Sequence, residues 1–211
     1  MQQTSWMLVR LSTETRIHHA GADGDRLAMM ERPSDRSYRS FLERVYCFEA
    51  PLEAAFALTR RFDRGLVGTH MKTKRLATDL DALGVDVAAL DIASSDGPVH
   101  RTAFDDVAEA LGWMYVVQRN ILLHGLLSRH LATRIPEAMR RAGSYLTAHD
   151  SPGMRFRELG SILDHAAHRT YIADRIVRSA SEAFRCQRQW YACVATRVIH
   201  ARPAPDPIHA D

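Results

Sequence analysis

Lysine is nearly missing from this 211-residue chain, which holds only Lys72 and Lys74. Arginine supplies almost all of the positive charge, a bias that reads as coding-DNA composition and says little about function. The charge excess is also small, +3 from 28 Lys plus Arg against 25 Asp plus Glu. No basic run is interleaved with aromatics, so a nucleic-acid partner is not expected. Cysteine is scarce and odd in number: Cys47, Cys186 and Cys193, with no CxxC pair. A disulfide framework or thiolate zinc site is therefore not expected, and a reduced, cytoplasmic setting fits. No apolar run approaches the roughly 18 residues of a membrane span. The apolar stretch Trp6 to Val9 is too short for a signal peptide. Hairpin turn pairs and strand-like alternation are hard to find. So are HExxH, a phosphate-cradling glycine loop and a Ser/His/Asp order.

What remains is an ordinary globular composition, 46% hydrophobic and 25% charged, at a length that suits one domain. Helical periodicity predicts an all-α fold of about seven to eight helices over residues 1–198, followed by a proline-containing tail, 199–211, expected to be disordered. The first helix is predicted over Ser5 to Ala20, with a short segment from Asp25 to Met30. Ser37 is the expected N-cap of the next, and Pro51 is expected to kink or restart it near Glu49. An arginine-rich loop holding Gly65 and Gly68 follows. A helix from Met71 to Leu83 is stopped by Gly84. Ser94 to Pro98 reads as a loop. One long helix runs from Thr102 to Thr133, then helices over Glu137 to Ala148, Pro152 to His168 and Ile172 to Val198.

Eleven histidines invite a metal or heme reading. His18 and His19 are adjacent, so one helix face can use only one of them. His124 lies inside the apolar run Ile121 to Leu127. Asp164 and His168, one turn apart, have a spacing that suits a shared metal, which makes a non-heme iron oxidase a third functional reading.

Four blocks carry a resemblance. Glu14-Thr15-Arg16-Ile17-His18-His19 resembles the first helix of heme oxygenases. Ser37-Tyr38-Arg39-Ser40-Phe41-Leu42 with Phe48-Glu49-Ala50-Pro51-Leu52-Glu53, then Leu76 to Gly84, then Gly112-Trp113-Met114-Tyr115-Val116-Val117, resemble further blocks of that family in order and spacing. The similarity covers roughly residues 8–195 and is nearest the bacterial type that accompanies bacteriophytochromes. The resemblance implies a single helical domain with heme between an N-terminal and a central helix, cleaved to biliverdin, carbon monoxide and iron with electrons from a donor such as ferredoxin or ascorbate. It implies His19 (or His18) as the axial iron ligand, Arg16 and Arg157 near the propionates, and Tyr115, Arg119, Leu123 and His124 along the heme face.

The chain departs from the family on the central helix. Where a Gly-x-x-x-Gly-Gly pattern lets the backbone pass close over heme, this sequence has Arg119, Leu123 and His124. Asn120 stands where some members carry an acid that orders distal water, and an amide cannot deliver its own proton. Further basic positions read Ser12 and Ser161. His124 could ligate iron from the distal side, or Gly125 could keep the gap open one residue late. Two main readings follow: a heme oxygenase, or a non-catalytic member of the fold that binds heme, another tetrapyrrole or a protein.

Overall fold

The computed structural model describes residues 4–90, 102–148 and 152–200, and among them every regular element is helical. The expected loop at Ser94 to Pro98 lies outside the described residues, as does 201–211 of the expected tail; residues 199 and 200 continue the last helix.

The N-terminal helix divides at Thr15 into α1 (Trp6–Glu14) and α2 (Arg16–Ala28), which absorbs the separate segment expected at Asp25. Ser5 caps α1 by accepting from Leu8 N at 3.2 Å, and its hydroxyl reaches Asp164 Oδ1 at 2.8 Å. Helix α3 (Asp35–Leu58) starts one turn earlier than expected: Ser34 is the cap, and Ser37 is the third helical residue completing a reciprocal capping box. Pro51 does not restart the helix. Phe48, Leu52, Ala55 and Phe56 continue one buried stripe past it, and that burial outweighs the lost backbone bond. Gly65 and Gly68 lie inside a short helix, α4 (Arg64–His70), because Asp63 caps it through Gly65 N at 2.7 Å.

Helix α5 (Thr73–Ala82) ends at Gly84, whose φ of 75° is the left-handed conformation that stops helices. The long central helix is two: α6 (Val107–Arg119) and α7 (His124–Arg134), joined by a 3₁₀ turn over Asn120–Leu123. Asp106 caps α6 through Glu109 N at 2.9 Å, so Asp105 and Asp106 precede the helix. The helix expected over Glu137 to Ala148 is broken at Gly143 into α8 (Pro136–Ala142) and α9 (Ser144–Thr147). Then come α10 (Pro152–Ala166) and α11 (Thr170–His200).

Two apolar clusters form the core. One surrounds the crossing of α6 and α11, with α1, α10 and the second half of α3; the other joins the first half of α3 to α5, α7, α8 and α9. The α6–α11 crossing is close because Gly112 has no side chain. A Cβ there would stand 2.5 Å from Ile176 O and 2.8 Å from Ala180 N. At the junction of the clusters lies a buried charged group. Lys72 Nζ sits 3.3 Å from Glu49 Oε2 and donates to Val117 O at 3.0 Å. Tyr145 donates to Glu49 Oε1 at 3.1 Å, and Glu53 accepts from the Lys72 and Thr73 backbone. Arg26, fully buried, donates to the Tyr191 hydroxyl at 3.2 Å and lies over the Phe41 ring.

Candidate functional site

The seam between α2 and α6 gathers three of the residues singled out in the sequence, His19, Tyr115 and Arg119. His19 points inward and is 9% exposed. Its Nε2 lies 2.8 Å from Thr15 Oγ1 and 3.3 Å from the Tyr115 hydroxyl on α6, and its ring packs 5.1 Å from that of Phe184 on α11. His18, half-buried, also stacks on Phe184, and of the adjacent pair it is His19 that meets the central helix.

The protonation of His19 follows from its neighbours. Thr15 Oγ1 also lies 2.7 Å from Leu11 O, a carbonyl that can only accept. The threonine proton is committed there, so Thr15 Oγ1 accepts from His19, and Nε2 carries the ring hydrogen. Burial first, then the Arg119 guanidinium, hold the imidazole down to about 4. It is neutral near pH 7, with Nε2 a donor. Burial also pushes the Tyr115 phenol up to about 12.

One turn further along both helices the seam is closed by charge. Arg119 donates to Asp23 through two bonds, Nη1 to Oδ1 at 2.6 Å and Nη2 to Oδ2 at 2.8 Å. This is the paired geometry in which arginine binds carboxylate best. Asn120 pairs with α11: its amide and that of Gln187 exchange hydrogen bonds of 3.1 and 3.3 Å, both residues being buried. Leu123 packs against the second apolar cluster. His124 is buried with its ring 4.6 Å from Tyr145. The two imidazoles proposed as opposite iron ligands thus pack on different partners. Gly125 is exposed on α7 and keeps no gap open.

The remaining expectations fall on the surface. Arg16 and Arg157 are exposed, although Phe156, next to Arg157, packs 5.8 Å from Tyr115. Asp164 does not pair with His168; it accepts from Ser5 Oγ and from Met7 N at 2.9 Å, anchoring the start of α1. His168 is exposed, its Nδ1 3.3 Å from His165 O. Among the described residues no group of three or more His, Cys, Asp or Glu side chains could hold a metal ion. No described helix is long and apolar enough to cross a membrane.

As arranged, these residues do not fit a porphyrin between α2 and α6. The nitrogen of His19 nearest the central helix is a donor, not a lone pair, and the Arg119–Asp23 pair spans the space one turn away. Asp23, Gln187 and the buried Arg26–Glu49–Lys72 group escaped the sequence reading. Asp23 had a legible sign, since it lies one turn after His19 on the same helix face. Gln187 had none, because its partner is 67 residues away.

The chain matches no known protein family, and no curated protein matches it.

Proposed function

We propose that this chain is a heme-oxygenase-like protein of the cytoplasm in which heme turnover is lost, and which acts by binding a ligand or partner. The four motif blocks support the relationship. The loss of turnover rests on the Arg119–Asp23 pair, which occupies the seam beside His19 where the family's distal glycines would leave room. Asn120 is held in an amide exchange with Gln187, and an amide cannot deliver its own proton in place of a water-ordering acid.

A second reading keeps heme as a ligand, and His19 is the observation that favours it. A buried imidazole, neutral at pH 7, can ligate iron once its ring hydrogen moves from Nε2 to Nδ1. Entry requires the Arg119–Asp23 pair to part and the His19 ring to give up Thr15 and Tyr115. The experiment is a hemin titration of the purified protein followed by ascorbate under air. The proposal expects no conversion of the visible spectrum to that of biliverdin. Stoichiometric formation of biliverdin overturns it, and a saturable Soret band that survives ascorbate selects the heme-binding version.

A further inference from the structure

Beyond the Arg119–Asp23 pair the seam between α2 and α7 widens into a cavity of about 420 Å³. Its walls are apolar: Leu27, Ala28 and Met30 from the end of α2, and Leu126 and Leu127 from α7. Leu126 is 49% exposed, so the apolar wall is open to solvent. The volume lies in the range of small-molecule sites, roughly 300–1,000 Å³.

Two polar residues line this cavity, Glu31 and His130. His130 Nε2 stands 3.1 Å from Met30 O. A carbonyl oxygen only accepts, so Nε2 carries the hydrogen, and in the neutral ring Nδ1 is left as an acceptor. Glu31 is an exposed carboxylate, and no cation pairs with it among the described residues. The polar groups lining the cavity therefore offer acceptors and negative charge. We propose that the cavity between α2 and α7 binds a small molecule with an apolar, ring-sized body and a cationic, hydrogen-bond-donating head, of the arylalkylamine class. The apolar body displaces water from the leucines, and the ammonium meets the Glu31 carboxylate and His130 Nδ1. Dianionic groups such as porphyrin propionates are disfavoured by the same two residues. The inference deepens the binding reading above and rests on it.

The test uses three fluorescent probes on the full chain at neutral pH: 1-naphthalenemethylamine, 1-naphthalenemethanol and 1-naphthoate, followed by anisotropy. The amine is expected to saturate and to bind about tenfold more tightly than the alcohol, with naphthoate weaker still. Ala28→Phe and Leu126→Trp, which fill the cavity from its two walls, each abolish amine binding while circular dichroism and thermal midpoint stay native-like. Glu31→Gln brings amine and alcohol to equal affinity. Equal binding of all three probes, no saturable binding, or amine binding unchanged in either filled variant overturns the proposal. The readout is independent of the Soret band, so biliverdin formation can sink the loss of turnover while the amine titration is judged separately.

Discussion

Arg119 and Asp23 face each other across the α2–α6 seam as a two-bond pair, 2.6 and 2.8 Å, with side chains only 16% and 22% exposed. Each lies one turn beyond a residue of the contact His19–Tyr115, so the two helices are joined by successive side-chain rungs. Such partial burial makes the pair costlier to break than a surface ion pair. A double-mutant cycle with Asp23→Ala and Arg119→Ala, followed by urea denaturation, is expected to give a coupling of about 1–3 kcal/mol. A coupling below about 0.3 kcal/mol would place the pair with ordinary surface bridges.

His19 should make stability depend on acid. Its folded value near 4 lies below the ordinary 6.5, because of burial and Arg119. The contribution is fully present above about pH 6.5 and is lost as pH falls toward 4. His19→Gln, which cannot protonate, should flatten the fall in unfolding free energy over that window by on the order of 1–2 kcal/mol. Parallel curves for the two proteins between pH 7 and 4.5 would show that the ring protonates freely in the folded chain.

The Asn120–Gln187 exchange predicts an asymmetry. Asn120→Leu strands a buried amide and should cost about 1–3 kcal/mol, whereas Asn120→Leu with Gln187→Leu should recover most of that loss. Chemical denaturation of the single and double variants measures both. A double variant as unstable as the single one would mean that packing, not the unpaired amide, sets the cost.

Gly112→Ala should force apart the α6–α11 crossing, because the added carbon meets main-chain atoms of Ile176 and Ala180 that have no rotamer to yield. The expected loss is about 1–3 kcal/mol, read as a lower thermal midpoint. An unchanged midpoint would mean that the crossing slides without cost.

Lys72→Met removes the cation beside Glu49, both side chains being no more than 1% exposed. A loss of about 3 kcal/mol is expected, because the buried carboxylate loses its nearer cation and keeps only Arg26. Adding Glu49→Gln should restore much of it. Full stability of Lys72→Met alone would show that Arg26 and Tyr145 suffice to hold the carboxylate.

The helices were legible because their caps and apolar stripes are local. Ser5 and Gly84 bound helices where the sequence places them. The errors came where two local signals compete. Ser37 reads as the cap, and only the three-dimensional exchange of hydrogen bonds shows that Ser34 is the residue outside the helix. Pro51 reads as a break, but the buried stripe on both sides keeps α3 whole. The 3₁₀ turn at Asn120–Leu123 carries no glycine or proline to announce it.

Composition and periodicity alone determined an all-helical chain, because both depend on residues a turn apart; that His19 is the imidazole turned inward was decided by the packing of α2. Whether that imidazole meets open space was decided by Arg119 reaching Asp23 across 96 residues of sequence, just as Gln187 reaches Asn120 across 67. Those pairings depend on how far apart the packed helices stand, a distance set by the whole core and written in no local pattern.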